Sequence, residues 1–480
     1  MVISQASVQN EYATRTASTD GCPGHFTAEE QRKMAKLWSL LLDYLSEVRD
    51  KSVKVKGEHL HKIERDWSML KPDESPKLDE KEDDEAVTRR AWEQFTKGGS
   101  SIKRLGGLFS KKQQLTREQL VLDRHVNETT WQYVDRMAGR HVALMPDEFI
   151  PSFAHPSRDT RNLWDTFWQT VTIKEHPDFW VYRYMISSGW NVDKALADIK
   201  SVIEWRATEA LDQINYEGDV GIGYDELRLG MSRLIGKDRL GLPLTYVRIR
   251  KIMPRATESH VFKRYLMTDF EMTQNVTRTD IRSTILYDFT GFSMDNTPLA
   301  MILFMVELGM KPYAESTSVL IMLVDSWLFN NLWSLVRPFL DANLGARIIF
   351  AKTVDEVRKF IDDDQLPVEL GGTNTFAADY VLPTEEENRK MFDMEGRRAA
   401  EDVWRKRIAE FEVATKEWTQ AVATASDAEV LDAGFPCTAC RDAAACELGR
   451  AELALNKFTR TRNILERRGM VGADGNLKLP

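Results

Sequence analysis

The chain has 480 residues, with 65 lysine and arginine side chains against 74 aspartates and glutamates, for a formal net charge of −9. That balance excludes general nucleic-acid binding through bulk charge, while the length suffices for several domains with buried cores. Four cysteines are too few to staple a chain of this size.

Residues 1–24 are polar and aperiodic, which predicts disorder. They show neither an apolar core nor a basic leader, so no secretory signal is read there. No later window is apolar enough to span a membrane, and the expectation is a cytoplasmic protein. Thr27-Ala28-Glu29-Glu30 reads as a capping box and opens a helix within 25–48, with Leu37, Leu41, Tyr44 and Leu45 along one face. Residues 49–160 read as a charged linker with short helices. Within it the acidic run 79–85 stays solvated. The segment 97–112 mixes Gly, Ser and cations around Leu108 and Phe109, as either a basic loop that touches anionic lipid or a plain solvated linker.

Over 161–215 the pattern tightens into three short helices punctuated by Gly189 and Asn191, the last with Leu196, Ile199, Val202 and Ile203 as its stripe. Residues 216–376 then alternate strands and helices. A strand over 242–250 places Tyr246, Arg248 and Arg250 on one face and Thr245, Val247 and Ile249 on the other. A helix over 261–276, a strand over 283–289 and a helix after Pro298 follow. Further strands are read over 319–324 and 346–352, then a helix capped by Thr353 and an extended segment over 366–372. Such alternation predicts an α/β unit with a largely parallel sheet. Residues 377–480 read as a helical hairpin. Thr384 and Glu387 form a second capping box, and Val403, Trp404, Ile408, Phe411, Thr415 and Trp418 run down one side. A break over 434–446 leads to a helix over 448–468 that ends before Gly469. The hairpin either packs back on the rest or offers a surface to a protein partner.

The most apolar stretch is 319–341. After an uncharged strand, Asp325 and Ser326 offer caps, and Trp327, Leu328, Phe329, Leu332, Trp333, Leu335, Val336, Phe339 and Leu340 wrap nearly round the helix that follows. A bilayer span needs about 20 apolar residues, and Asp325, Asn330, Asn331 and Arg337 interrupt this one. Two readings remain, protein core or the wall of a greasy cavity.

Catalytic chemistry is hard to assemble. The glycines around Gly218, Gly221 and Gly223 follow polar residues rather than a strand, and Gly291-Phe292-Ser293 lacks the second glycine of a nucleophile elbow. His59 and His61 lie on different sides of any helix. Cys437, Cys440 and Cys446 lack a local fourth metal ligand, and only distant Cys22 remains to supply one. No catalytic residue and no metal are assigned.

Set in order, Asp288-Phe289-Thr290-Gly291-Phe292-Ser293, the tryptophan-rich helix ending Arg337-Pro338-Phe339-Leu340-Asp341, and Leu366-Pro367-Val368-Glu369-Leu370-Gly371-Gly372 resemble the CRAL-TRIO lipid-binding family, and most of all fungal phosphatidylinositol transfer proteins. The resemblance covers about 163–373. It implies a helical N-terminal subdomain over 161–215, a lipid-binding domain over 216–376 enclosing a hydrophobic pocket, and a C-terminal helical extension. It also implies that Trp327, Leu328, Phe329, Leu332, Trp333, Val336, Phe339 and Leu340 form a mobile gate over the acyl chains. Glu315, following Tyr313-Ala314, stands where the family takes inositol hydroxyls, and Arg347 where it meets the phosphate; Ser283 and Arg183 match further headgroup positions.

The bound group is then a phospholipid, phosphatidylinositol, rather than a cofactor. The partners are membrane lipid and a transient membrane surface, without nucleic acid, and the protein sits peripherally on endoplasmic reticulum, endosome or lipid droplet. The chain departs from the family's phosphatidylcholine site, with Ile285, Leu234 and Thr245 in place of its polar groups. That departure suits a more apolar second ligand, such as a sterol or squalene-like hydrocarbon. Two alternatives to phosphatidylinositol transfer follow: a carrier of a neutral apolar lipid, and a lipid-sensing scaffold that acts through its C-terminal helices.

Overall fold

The computed structural model describes residues 26–56, 160–222, 230–252, 259–279, 282–292, 299–324, 328–340, 342–375, 380–381, 386–432 and 435–478. Segment 1–24, the acidic and basic runs of 79–112, Cys22, His59, His61, Trp327 and Thr384 lie outside the described residues.

Helix α1 (Ala28–Glu47) starts on the capping box read from sequence, with the Thr27 side chain accepting from the Glu30 amide and Glu30 reaching back. The next residues are not all linker. Ser52–Lys54 (β1) pairs antiparallel with Thr160–Asn162 (β2), two short edges too brief to leave an alternating pattern. Asn162 then caps α2 (Leu163–Val171), followed by α3 (Asp178–Ser187), α4 (Val192–Thr208) and α5 (Leu211–Glu217).

The sheet has the order β3 (Ser232–Lys237), β4 (Pro243–Arg248), β5 (Ser283–Asp288), β6 (Thr317–Leu323), β7 (Ile348–Ala351). Its last three pairings are parallel and only β3 runs antiparallel. Strand β3 was not read from sequence, because Leu234 and Ile235 are its only large apolar residues and Gly236 breaks the register. Helix α6 (Ser259–Val276) joins β4 to β5, and α7 (Leu299–Met310) joins β5 to β6. Helix α8 (Leu328–Val336), a 3-10 turn (Arg337–Phe339) and α9 (Ala342–Gly345) lie between β6 and β7. The predicted single helix through residue 341 therefore stops at Val336. Pro338 has no amide hydrogen to continue it. After β7, Thr353 caps α10 (Val354–Val357) as read. The segment expected to be extended instead holds a 3-10 turn (Val368–Leu370). There Gly371 takes φ +77°, and a Cβ on Gly372 would lie 2.1 Å from the Leu366 carbonyl oxygen.

A 3-10 stretch (Glu386–Phe392) leads into α11 (Met394–Thr424), capped by Asp393; α12 (Asp427–Val430), α13 (Pro436–Thr459) and α14 (Ile464–Arg467) complete the chain. The expected break over 434–446 is mostly helix, with Pro436 in the first turn of α13 and the three cysteines inside it. Cys437 packs partly buried against the helical core, and Cys440 and Cys446 are exposed. Trp404, Ile408, Phe411, Thr415 and Trp418 are buried as read, whereas Val403 faces outward.

The hairpin of α11 and α13 shares one core with α1 to α4, centred on Trp38, Phe167, Trp168, Trp404 and Phe411. Inside it Arg441 donates to both Asp178 oxygens (2.7 and 2.6 Å), Trp38 Nε1 donates to the same carboxylate (2.6 Å), and the guanidinium lies 4.4 Å from the Trp418 ring. The last residues return to the sheet unit. Leu477 N donates to the Val276 carbonyl (2.8 Å), and Ile464, Leu465 and Met470 pack on Leu234 and Val276.

Candidate functional site

Strand pleating gives the sheet two unlike faces. Tyr246, Leu286, Ile321 and Ile349 stand in register and pack against Val357, Phe360 and Ile361. The rows next to them, Thr245–Ile285–Leu320–Ile348 and Val247–Tyr287–Met322–Phe350, point the other way, toward α6, α7 and α8. Helices do not close on this second face. Between them and the sheet lies a cleft whose space between atoms, open solvent included, is about 860 Å³, walled almost wholly by apolar side chains.

Helix α8 roofs it with Phe329, Leu332, Trp333 and Val336, at i, i+3, i+4 and i+7, and Leu340 adds to the lining. Among the described side chains this is one stripe rather than an apolar girdle: Asn330, Ser334 and Arg337 are exposed and Leu335 is half-buried. Phe339 does not line the cavity but stands 53% exposed beside the roof. The Leu328 side chain, like Trp327, is outside the described residues. Aromatic edges hold the roof, Phe329 to Phe289 at 4.8 Å and Trp333 to Phe350 at 5.0 Å.

A second space of about 660 Å³ adjoins the first, sharing Ile252, Phe270, Ile285, Tyr287 and Met305 in its walls. Its lining is more polar. Asp269, bonded by Ser232 Oγ at 2.7 Å, faces it, and burial raises that carboxyl's pKa. Burial together with Asp269 pushes the Tyr287 hydroxyl up to about 12. Thr245 and Ile285 line this space, but Leu234 does not; it belongs to the cluster that receives the C-terminal residues.

Two residues before Thr317 of the cavity wall, the turn from α7 to β6 carries Glu315 at φ 57°, a left-handed conformation costing roughly 1 kcal/mol or more for a residue with a Cβ. The turn is held from below: Tyr313 stacks on Phe270 at 4.6 Å and donates to Glu271 Oε1 (2.7 Å), and Tyr184 donates to the Pro312 carbonyl (3.1 Å). Burial alone would raise the Glu271 pKa, but bidentate Arg206, at 2.9 Å through each nitrogen, keeps it below the usual range. The Glu315 carboxylate accepts from Arg347 and, at 3.2 Å, from Arg282. Arg347 also donates to the Thr317 carbonyl (2.7 Å), which fixes it at the start of β7.

Ser283 Oγ donates to the Ser316 carbonyl (3.3 Å) beside this pair. Arg183, 2% exposed, donates through Nη1 to Gln274 Oε1 (2.9 Å). Burial pulls its guanidinium down to about 10, with Arg282 adding to the pull and Glu315 opposing it, so it remains a cation at neutral pH. The structure thus brings Glu315 and Arg347 into direct contact and sets Ser283 and Arg183 near them. Sequence reasoning missed Arg282, Ser316 and Gln274. Of these, only Arg282 left a signal, a cation directly before a strand whose first residue was already a candidate.

Residues 227–372 match the family model described as CRAL/TRIO domain. A phosphatidylinositol transfer protein of Eremothecium gossypii, CSR1, is 26% identical over 276 residues, which are 55% of this chain and 63% of that protein. A CRAL-TRIO domain-containing protein of Schizosaccharomyces pombe is 24% identical over 463 residues, 94% of this chain and 92% of the relative. Among solved structures, the crystal structure of Sfh5 aligns with a TM-score of 0.33 at 12% identity, covering 39% of this chain and 67% of that one. Residues 227–372 are thus a CRAL/TRIO domain, and the chain around them is similar to fungal proteins, one of them described by that domain.

Proposed function

We propose that the protein binds one phosphatidylinositol molecule and transfers it between membranes, with the acyl chains in the apolar cavity under α8 and the head at Glu315, Arg347, Arg282, Arg183 and Ser283. The observation that carries this reading is the nearness of two environments: a cavity walled by Ile285, Leu320, Phe329 and Leu332, and a buried charged cluster whose Arg347 donates to the carbonyl of Thr317, a residue of the cavity wall. Hydrocarbon needs the first, since each CH2 kept from water is worth about 0.8 kcal/mol; a charged head needs the second. No covalent step is required. The protein cycles between a closed, loaded form and an open form docked on a membrane surface.

Glu315→Ala and Arg347→Ala are each expected to reduce phosphatidylinositol transfer between vesicles by at least about tenfold, the loss of one charge-assisted contact. Circular dichroism should remain that of the wild type. Wild-type transfer by both variants would contradict the assignment.

A further inference from the structure

The charges around the headgroup cluster do not balance. Glu315 faces both Arg347 and Arg282, so one guanidinium charge is compensated and one is not. Arg183 spends its one bond on the neutral Gln274 amide. Arg206 and Glu271, just beneath, satisfy each other. The carboxyl facing the adjoining space, Asp269, is bonded to Ser232 and has Arg233 as its charged neighbour. Among the described residues in contact there, three guanidinium groups, Arg183, Arg282 and Arg347, face one carboxylate, Glu315, which leaves two positive charges over.

Donors are left over too. Arg183 Nε and Nη2, Arg282 Nε and Ser316 Oγ are buried without a hydrogen-bond partner. Nε and Nη2 form one edge of the Arg183 guanidinium, the pair that grips two oxygens of one phosphate. Leaving such donors buried and unmade is costly, and leaving the cation unpaired more so. A phosphodiester brings one negative charge and two free oxygens. A phosphomonoester brings between about one and a half and two charges near neutral pH, and three strong acceptor oxygens.

Resting on the reading that this cluster holds a phospholipid head, we infer that the site prefers a lipid bearing a phosphomonoester over one bearing only the phosphodiester. The monoester supplies the second charge that Arg183 and Arg282 lack and the oxygens their free N–H groups and the Ser316 hydroxyl are placed to meet.

The test uses the full-length protein and neutral vesicles doped in turn with phosphatidylinositol, phosphatidic acid or phosphatidylinositol 4-phosphate. Inorganic phosphate and a soluble inositol phosphate serve as competitors. At about pH 7.5 a phosphomonoester lipid should be taken up roughly tenfold or more tightly than phosphatidylinositol, the worth of one added charge-assisted bond. The advantage should shrink at about pH 5.5, where a second proton with a pKa near 6 returns to the monoester, and Arg183→Gln should reduce it more than it reduces uptake of phosphatidylinositol.

Preference for phosphatidic acid places the monoester where the diester would lie, preference for the 4-phosphate places it on the ring, and either supports the inference. Uptake of phosphatidylinositol with no monoester preference overturns the inference and leaves the transfer reading standing. Uptake of none of the lipids overturns both, whether or not the soluble phosphates bind.

Discussion

Glu315 and Arg347 lie 32 positions apart and share an ion pair that is almost wholly buried. Both were legible because each sits in a motif: the acid after Tyr313-Ala314, the cation at the head of a strand. Gln274 was not, because an amide on the polar side of a helix looks like any solvated residue until Arg183 is found against it. Nor was another buried ionic pair, Asp178 with Arg441, whose partners are 263 positions apart on different helices. It makes a pH prediction. Burial alone would raise the Asp178 pKa, but Arg441 outweighs burial and holds it at about 2. Its unfolded value is about 3.9, so the stability this pair contributes, about 3 kcal/mol, is present above about pH 4 and is lost as pH falls through about 2. Asp178→Asn should cost about 3 kcal/mol at neutral pH by leaving Arg441 buried and unpaired. It should also flatten the fall in urea midpoint between about pH 5 and pH 2.5. An unchanged acid limb would show that the pair carries no such linkage.

At the scale of elements, periodicity located α1, α4, α6, α7 and most of the sheet, since each has a long apolar stripe or an unbroken apolar run. It misjudged the roof. Counting apolar residues round 327–340 predicts a helix greasy on every side, but Pro338 ends α8 early and turns Phe339 out of the stripe that Phe329, Leu332 and Val336 form. An exposed aromatic beside a one-striped roof suits a helix whose outer margin enters a membrane interface while its inner face covers hydrocarbon. Phe339→Ser should therefore slow vesicle-to-vesicle transfer several-fold and leave stability within about 0.5 kcal/mol, as expected for a surface position. A large loss of stability, or transfer at the normal rate, would show that Phe339 has a different role.

The whole molecule is less modular than its sequence suggests. The composition change beyond residue 376 reads as a hairpin that either packs back or offers a partner surface; in the structure α11 and α13 bury Trp404, Ile408 and Phe411 in the same core as Trp38, Phe167 and Trp168, and the last residues return to α6 and β3. Amphipathic stripes reveal that a face is buried without naming what buries it, so this closure over more than 300 positions could not be read in advance. Among the described residues it leaves an apolar space under α8 with a more polar one beside it, and the proposed function depends on what they hold.

Native mass spectrometry of the full-length protein purified from a eukaryotic host, without detergent, tests this most directly. The account predicts a one-to-one complex whose added mass is that of an anionic phospholipid, phosphatidylinositol or a phosphorylated form, released when Arg347 is replaced by Ala. A spectrum of bare protein that also takes up no phospholipid from vesicles, or one dominated by phosphatidylcholine, would contradict it.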